Sequence, residues 1–265
     1  MNLFYPPKKS LGQNFLVDQN IINKIIKIGN IEKNTIVLEI GPGYGNLTQA
    51  IIDLKPKKLL AIEKDKKLSM FLKTKFKRFK NINIINSDIL DFIKKESFDS
   101  NIVVFGNLPY NISTQILASF ALLIKWPPWY KTLILMFQKE VANRIISKPK
   151  LSNRLSVMSN WRLEIKKHFN ISKNCFYPKP KIESSVLSFL PMKSKFTIQN
   201  PKNLEMVTRI LFSNKRKMIN KNFLKLFNGN KLVADKLELD LSKRPEELTN
   251  EMFYKITMEY EKLSN

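Results

Sequence analysis

The chain has almost none of the cysteine and histidine that disulfides and metal sites require. Cys175 is its only cysteine and His168 its only histidine. A single cysteine excludes an intramolecular disulfide and a cysteine cluster for zinc, and one histidine beside it disfavours any transition-metal site. We therefore expect no bound metal, a packed rather than reactive Cys175 thiol, and a cytoplasmic location.

Long apolar segments are also absent. No stretch approaches the roughly 20 uninterrupted apolar residues of a transmembrane helix, and residues 1–9 lack the basic, apolar and cleavage regions of a signal peptide. Hydrophobic residues still make up 43% of the 265 residues, which is enough for the core of one large domain, or of a domain with a small appendage. We expect a monomer without a membrane partner.

Acidic residues are in deficit. The chain has 46 Lys and Arg residues against 22 Asp and Glu residues, which gives a formal net charge of +24. A charge this large favours a polyanionic partner, and nucleic acid is the first candidate. Drift in base composition is an alternative explanation for part of this large positive charge. Only seven of the basic residues are Arg, while Lys, Asn and Ile are all abundant, as AT-rich coding sequence would give.

Short β-branched runs alternate with helical stretches from residue 35 onwards. This alternation predicts an α/β protein with a parallel sheet covered on both faces. The expected strands are 35–40, 58–62, 82–86, 101–106 and 132–137, with 184–190 closing the sheet. The expected helices between them are 46–54, 65–78, 113–124 and 138–147, and an amphipathic helix over 18–28 precedes the first strand.

The character of the chain changes after Pro191. No further strand is evident, and residues 201–227 and 246–263 have helical patterns. We therefore predict two domains. Residues 1–192 form the α/β domain, whose first 12 residues are a mobile basic arm, and residues 193–265 form a small helical domain that contacts RNA.

Several basic residues are candidates for phosphate contacts, which supply affinity rather than sequence choice. The strongest is the cluster Lys215-Arg216-Lys217, which lies on a predicted helix. A solvated surface charge is the alternative for each residue taken singly. The other candidates are Lys8, Lys9, Arg144, Lys179 and Lys181.

A strand, a glycine turn and a helix follow one another between residues 37 and 52. The turn is Gly41-Pro42-Gly43-Tyr44-Gly45, and its glycines permit positive φ and a close approach of backbone to a ligand. A glycine turn alone could hold a dinucleotide. However, the spacing is not G-x-G-x-x-G, and no Gly-Lys-Ser/Thr follows as in a phosphate-binding loop.

Two acids follow the next strands. Glu63 lies roughly 20 residues past the glycine turn, where an acid can accept hydrogen bonds from both ribose hydroxyls of a cofactor. Asp88 follows the strand after that, where it can accept a hydrogen bond from an adenine amine. Taken alone, each acid is more often a surface carboxylate or a helix cap. The ordered set of Gly41, Gly43, Glu63, Asp88 and Asn107 predicts one crevice at the strand ends.

Asn107-Leu108-Pro109-Tyr110 directly follows an apolar strand. This tetrapeptide suits methylation of an exocyclic amine, whose lone pair is delocalised until an acceptor binds its hydrogens. Asn107 offers a side-chain carbonyl and Leu108 a backbone carbonyl. Pro109 stiffens the loop, and Tyr110 offers a ring on which an extruded base can stack. An ordinary turn after a strand is the alternative for the tetrapeptide alone.

With these anchors in order, the chain resembles the S-adenosylmethionine-dependent rRNA adenine N6,N6-dimethyltransferases. Within that family it is most similar to the bacterial small-subunit (16S-type) enzymes. The resemblance covers nearly the whole chain. It rests on residues 9–16 (KSLGQNFL), 39–43 (EIGPG), 107–114 (NLPYNIST) and 176–184 (FYPKPKIES), with Phe212, Arg216, Lys217 and Arg244-Pro245 recurring in the tail.

The resemblance implies a Rossmann-like methyltransferase fold with a small all-helical C-terminal domain. It also implies S-adenosylmethionine as the methyl donor, without a metal. Asn107, Leu108, Pro109 and Tyr110 would handle the target adenine, with Phe176 stacking on its other face. The residues that would contact the cofactor are Asn14, Leu16, Gly41, Gly43, Glu63, Asp88 and Asn107.

The implied substrate is a pair of adjacent adenines near the 3′ end of 16S rRNA, each methylated twice in the immature small ribosomal subunit, with a role in ribosome biogenesis. The expected reaction is direct displacement by N6, so no protein nucleophile is needed, and positioning and hydrogen-bond acceptors supply the catalysis.

Four rival functions stay open. A DNA adenine methyltransferase shares the Asn-x-Pro-Tyr chemistry, but the N-terminal signature and compact tail disfavour it. A large-subunit rRNA dimethyltransferase is nearer, and the tail motifs disfavour it. The protein could instead act mainly as an RNA-binding assembly factor. A nicotinamide oxidoreductase is remote, since Asn107 to Tyr110 would then have no role.

Overall fold

The structure is a computed structural model that describes residues 5–95, 98, 102–147 and 152–264, with only the backbone described at Lys9 and Ser264. The first four residues of the expected arm and Asn101, at the start of an expected strand, lie outside the described residues. Among the described residues, no helix has both the length and the apolar character needed to cross a bilayer.

The chain divides into two compact units. One comprises Met1–Ile116, Pro128–Ala142 and Ile165–Pro191, and the other Leu117–Pro127, Asn143–Glu164 and Met192–Asn265. The last crossing between the units falls within a residue of the division predicted from sequence. Two earlier segments, Leu117–Pro127 and Asn143–Glu164, group with the second unit although the sequence pattern had put them in the first.

The strands all lie before residue 192 among the described residues. Seven belong to one sheet and two form a separate ribbon. Their bounds are β1 Phe15–Leu16, β2 Ile36–Ile40, β3 Lys58–Glu63, β4 Ile82–Asn86, β5 Ile102–Asn107, β6 Tyr130–Gln138, β7 Leu163–Ile171, β8 Phe176–Tyr177 and β9 Ser184–Pro191.

The α-helices lie between the strands and then fill the C-terminal part. Those before residue 192 are α1 Gln19–Ile28, α2 Asn46–Asp53, α3 Lys66–Lys75, α4 Ile89–Lys95, α5 Ser113–Ala121, α6 Lys139–Ile145 and α7 Arg154–Asn160. Those after it are α8 Pro201–Leu211, α9 Asn220–Leu226, α10 Leu232–Lys236 and α11 Asn250–Ser264.

The order of the strands places a crevice between β2 and β5. The sheet runs β4-β3-β2-β5-β6-β9-β7. The pairs from β4 through β6 are parallel, and β9 joins β6 in antiparallel register. After β2 the chain moves outward in one direction to β4, and then returns to β5 on the other side. Such a reversal leaves a ligand crevice at the carboxyl ends of the two central strands.

The first helices and strands form because local and core signals agree. Asp18 caps α1, its carboxylate accepting a hydrogen bond from the Ile21 amide at 3.0 Å. Ile22 and Ile25, on the apolar face of α1, are buried in the same core as Phe105 of the central strand β5. The expected strands and helices over residues 18–86 are confirmed to within three residues at their ends.

Two features of the first unit differ from the sequence-based expectation. Residues 5–12 are not an arm with little to bury: Lys8 forms an ion pair with Asp65 at 2.7 Å, and Tyr5 exchanges hydrogen bonds with Tyr44. The strand β7 was not predicted. It has apolar residues at alternate positions 163, 165, 169 and 171, and the intervening lysines and histidine hid this pattern.

The second unit has its own helical core. Phe212 stacks on Phe253 with ring centroids 4.9 Å apart, and both rings are buried. The Glu261 carboxylate accepts from the backbone amides of Gln199 and Asn200, both at 2.9 Å, and so satisfies donors at the start of α8.

The long helix predicted over residues 201–227 is wrong in its middle. α8 ends at Leu211, a short 3-10 helix follows, and α9 begins only at Asn220. Lys215, Arg216 and Lys217 therefore lie in an exposed turn rather than on a helix. The reason is local: residues 213–217 offer no apolar side chain to bury, so nothing holds a helix there.

Candidate active site

A cavity of about 140 Å³ opens at the carboxyl ends of the central parallel strands. It lies at the crevice that the strand order creates. Most of the predicted site residues line it: Asn14, Gly41, Gly43, Glu63, Asp88, Asn107, Leu108, Pro109 and Tyr110. Residues 10–13, Lys64 and Asn111 also line it, and none of them was among the predicted site residues.

The glycine turn forms the floor of the cavity. Gly41 has a φ of 66°, and a Cβ there would approach only the backbone oxygen of Asn107, at 3.7 Å, so the position opens into the cavity. Gly43 has a φ of 59°, and a Cβ there would lie 2.5 Å from the ring of Phe15. A side chain at Gly43 would therefore push against the wall that the N-terminal segment forms.

Glu63 is fixed at the end of β3. Its Oε2 accepts from the Gly43 amide at 3.2 Å, and its Oε1 accepts from the Asp65 amide at 2.8 Å. Burial raises the pKa of Glu63, while these backbone hydrogen bonds act in the opposite direction. Each carboxylate oxygen keeps a lone pair for a further donor, so the group can still accept two hydroxyls from the cavity side.

Asp88 is held between a helix and a lysine. Its Oδ1 accepts from the Leu90 amide at 2.9 Å, and its Oδ2 lies 2.7 Å from Nζ of Lys64. Burial alone would raise the pKa of Asp88, but the hydrogen bond from Lys64 and that from Leu90 outweigh it, so the pKa is lowered. Asp88 is therefore ionised at neutral pH and acts as an acceptor.

Asn107 ends β5, and its side-chain orientation follows from one contact. Its Nδ2 lies 2.7 Å from the backbone oxygen of Asn14. A carbonyl oxygen can only accept, so the amide nitrogen must face it and the side-chain carbonyl must face away. No hydrogen bond to that carbonyl occurs within the described part of the chain, which leaves it free to accept from a ligand.

Tyr110 is tethered at both ends. Its backbone oxygen accepts from Oγ of Ser113 at 3.2 Å, and its phenolic oxygen lies 2.6 Å from Oγ of Ser184 on β9. Burial raises the pKa of Tyr110, and the hydrogen bond to Ser184 acts in the opposite direction. The ring is therefore a neutral phenol at ordinary pH, and Tyr110 lines the cavity.

Leu16 and Phe176 do not line the main cavity. They are paired in the β1–β8 ribbon, and both are buried in the core of the first unit. Leu16 lines a much smaller adjoining cavity of about 20 Å³, together with Gly41 and Asn107. The roles assigned to Leu16 and Phe176 by resemblance stay predictions.

Glu39 is a buried acid beside the cavity floor that was not among the predicted site residues. It is buried near the carboxyl end of β2, and its Oε2 accepts from Oγ1 of Thr48 at 2.7 Å. Burial raises the pKa of Glu39 to about 8, with the neighbouring Glu63 adding to the rise. The available signal was a lone acid inside an otherwise apolar strand, Ile36–Ile40.

Metal ligands are not grouped in the described residues: no cluster there has three or more His, Cys, Asp or Glu side chains placed to hold an ion. The polar residues around the cavity instead carry carboxylates, side-chain amides and hydroxyls, together with the ammonium group of Lys64. This lining can bind hydroxyls and amines and can accept hydrogen bonds from them.

Comparison with known proteins shows which family the chain resembles over nearly its whole length. A family model described as ribosomal RNA adenine dimethylase matches residues 6–262. The ribosomal RNA small subunit methyltransferase A of Pelagibacter ubique (strain HTCC1062) is 49% identical over 263 residues, which cover 98% of this chain and 99% of that protein.

Solved structures share the fold. A dimethyladenosine transferase from Plasmodium falciparum superposes with a TM-score of 0.75 at 28% identity, over 94% of this chain and 98% of that one. The 23S rRNA methyltransferase ErmE gives a TM-score of 0.67 at 21% identity, over 93% and 99% of the two chains. The predicted Rossmann-like methyltransferase fold is thereby confirmed.

Proposed function

Because the chain belongs to the ribosomal RNA adenine dimethylase family, we propose that it dimethylates N6 of two adjacent adenines near the 3′ end of 16S rRNA in the immature small ribosomal subunit. The observation that carries this proposal is the free side-chain carbonyl of Asn107 at the cavity wall. An acceptor in that position suits an amine that must become a nucleophile. The name of the Pelagibacter relative, a small-subunit methyltransferase, supports the choice of rRNA.

The lining fits S-adenosylmethionine. Gly41 leaves room where a Cβ would intrude, Glu63 can accept from ribose hydroxyls, and the ionised Asp88 can accept from an adenine amine. When bound, this cofactor supplies a methyl group on a sulfonium, a leaving group that needs no proton from the protein. We propose Asn14, Gly41, Gly43, Glu63, Asp88 and Asn107 as its principal contacts. Leu16 lines only the small adjoining cavity and acts from there.

The chain's own contribution to the chemistry is orientation and hydrogen-bond acceptance. The carbonyl of Asn107 and the backbone carbonyl of Leu108 would accept hydrogen bonds from the two N6 hydrogens of the target adenine, which returns electron density to the nitrogen as it attacks. The nitrogen gains the methyl group as the methyl–sulfur bond breaks, and it then loses one proton to solvent. Pro109 keeps the loop stiff. After one transfer a single N–H remains, and Asn107 can still accept from it, which suits a second transfer at the same amine.

The target base needs a platform because it must leave its stack. We propose that Tyr110 supplies that platform, with Phe176 on the opposite side of the base. Tyr110 lines the cavity, whereas Phe176 is buried against Leu16. A role for Phe176 therefore requires its side chain to move.

The helical unit is proposed to contact rRNA through its exposed turn. Lys215, Arg216 and Lys217 are exposed, and none of them forms an ion pair within the described residues. A lysine that is already paired is a poorer candidate: Lys8 is bound to Asp65. The side chain of Lys9 lies outside the described residues. We further propose that the protein acts as a cytoplasmic monomer.

The test is methyl transfer from labelled S-adenosylmethionine to unmethylated small subunits, large-subunit RNA and duplex DNA in parallel, with the product nucleoside identified. We expect dimethyladenosine only with small subunits. Label in large-subunit RNA or DNA would keep the site chemistry and overturn the substrate. Absence of label in every sample, despite cofactor binding, would favour a protein that acts mainly by binding RNA during subunit assembly.

A further inference from the structure

Ser184 contacts Tyr110, the residue proposed to stack on the target base, at its phenolic oxygen. Its Oγ lies 2.6 Å from the phenolic oxygen of Tyr110, and either hydroxyl can donate. Ser184 is completely buried. The two residues are 74 positions apart in the chain, so the contact joins the loop after β5 to the beginning of β9.

Ser184 is itself held in a fixed place. It pairs with Gln138 at the end of the β6–β9 ladder. Directly beside it, the Lys139 amide donates to the Glu183 backbone oxygen at 2.9 Å, and the two side chains form an ion pair at 2.7 Å. The hydroxyl of Ser184 is therefore presented from the rigid sheet and not from a loop.

We propose that Ser184 is a positioning residue for methyl transfer, and that its hydroxyl holds the Tyr110 ring at the angle at which it receives the target adenine. This inference rests on the proposed function, because it assumes that Tyr110 is the platform. Ser184 does not touch the substrate; it acts through the ring.

The physical reason is that a tyrosine ring has two side-chain torsions. The bond from Ser113 to the Tyr110 backbone oxygen fixes the loop but leaves both torsions free. A bond at the phenolic tip fixes the first torsion, because it holds the direction of the ring axis. It also biases the second torsion, because the phenolic O–H bond prefers to lie in the plane of the ring. Removing the Ser184 hydroxyl would leave a half-buried phenol without its partner, and the ring would turn to find another.

A purely structural hydrogen bond is the alternative. It predicts a loss of stability with unchanged kinetics. A positioning role predicts in addition a lower turnover, since small misplacements of a reacting group slow a reaction strongly. The second methylation should suffer more than the first, because the methylated amine is bulkier and offers only one N–H to the acceptors.

The experiment compares four variants with the wild-type protein on unmethylated small subunits. Ser184→Ala removes the hydroxyl and Ser184→Thr retains it. Tyr110→Phe removes the same bond from the other side, and the fourth variant combines Ser184→Ala with Tyr110→Phe. Ser185→Ala is the matched control: Ser185 is also buried on β9, but points to the other face, where its Oγ lies 2.7 Å from Oδ1 of Asn170.

Under this proposal, Ser184→Ala lowers kcat about five- to tenfold with little change in KM for the subunit. Its product contains a larger share of monomethyladenosine than the wild-type product does. Ser184→Thr restores both the rate and the product ratio. The double variant is no slower than Tyr110→Phe alone, since both changes remove one interaction. Ser185→Ala keeps the wild-type rate and product ratio.

Wild-type kcat and product ratio for Ser184→Ala, with only a lowered Tm, would overturn the proposal. Additive losses in the double variant would also overturn it. Should Ser184→Ala fail to fold, Tyr110→Phe decides the question through its product ratio. Failure of the proposed function is separate, because the wild-type protein itself would then produce no dimethyladenosine.

Discussion

The side-chain amide of Asn107 donates a hydrogen bond to the backbone carbonyl of Asn14, a residue that precedes it by 93 positions. This single contact ties the loop after β5 to the N-terminal segment that forms one wall of the cavity. It also decides which end of the Asn107 amide faces the ligand. An asparagine is suited to this place because one end must donate and the other must accept.

Replacing Asn107 by Ala should abolish most transfer while preserving the fold. The acceptor for the adenine amine is lost, and removal of one such group typically costs about 10²- to 10³-fold in kcat. Turnover with saturating S-adenosylmethionine measures the loss, and a thermal melt checks the fold. Asn107→Asp is the matched control for size: it keeps an acceptor but repels the Asn14 carbonyl. Wild-type-like turnover by Asn107→Ala would contradict the proposed role of Asn107 as the acceptor for the adenine amine.

Tyr110→Ala should lose more activity than Tyr110→Phe. Alanine removes the stacking surface, which is worth about 1–3 kcal/mol per base, whereas phenylalanine removes only the bond to Ser184. The measurement is kcat and KM for small subunits with both variants. Equal losses would mean that the hydroxyl, and not the ring face, is what the reaction needs.

Gly43→Ala should weaken cofactor binding. The new Cβ would lie 2.5 Å from the ring of Phe15, so the N-terminal wall must shift. Gly229→Ala is the matched control, because Gly229 also has positive φ, 85°, but has no atom within 4 Å of the position of its Cβ. Both variants carry the backbone strain of about 1–2 kcal/mol.

Calorimetric titration with S-adenosylmethionine separates these two effects. We expect a raised Kd only for Gly43→Ala, and a similar lowering of Tm from strain in both variants. Equal Kd values for S-adenosylmethionine in the two variants would show that the Phe15 ring moves aside without changing the cavity.

Glu39→Gln should make stability less dependent on pH. The pKa of Glu39 is raised to about 8 in the folded protein from 4.5. Between these values the unfolded chain releases the proton while the folded chain keeps it, so stability falls as pH rises and levels off above the folded pKa. Glutamine stays neutral and can still accept from Thr48. Glu63, whose pKa is also raised, adds a fall of the same sign in both proteins.

Melting temperatures of the wild-type protein and of Glu39→Gln, taken at several pH values from about 5 to about 8, test this. The Tm of Glu39→Gln, relative to that of the wild-type protein, should rise steadily as the pH rises. A difference in Tm that is constant over this range would show that Glu39 does not change its ionisation between the folded and unfolded states.

Replacing Lys215, Arg216 and Lys217 by Gln should weaken binding to small subunits and flatten its dependence on salt. Each lost phosphate contact reduces the slope of log K against log salt by about 0.7–0.9. The matched control replaces three exposed lysines near the amino-terminal ends of β2 and β3, at the sheet edge opposite the cavity: Lys33, Lys57 and Lys58. An equal change of slope in both proteins would indicate a general effect of net charge.

Local signals were sufficient for most of the fold. The runs that became β2 to β6 are apolar and β-branched, and the spacing of α1 is helical, so both could be recognised without knowledge of their partners. The acids Glu63 and Asp88 could be placed in one crevice because parallel strands present their carboxyl ends at one edge. The place of the Asn107 loop at this crevice follows in the same way from its position at the end of β5, while its chemical role stays a prediction.

The remainder depends on contacts between distant parts of the chain, which no local pattern records. The two-residue strands β1 and β8 have no periodicity of their own and exist only because they pair. The bond between Tyr110 and Ser184 was not foreseen for the same reason. The turn at Lys215 was missed because an apolar pattern on both sides concealed a gap without core contacts.

The β1–β8 ribbon has a consequence for the order in which the protein becomes active. Leu16 pairs with Phe176, so one strand is synthesised long before its partner. A nascent chain that already contains β2 to β6 still lacks this partner, and closing so long a loop is an entropic cost met late in folding. The segment bearing Asn14 then has no strand beside it. We therefore expect the main cavity to form completely only when nearly the whole α/β unit has left the ribosome.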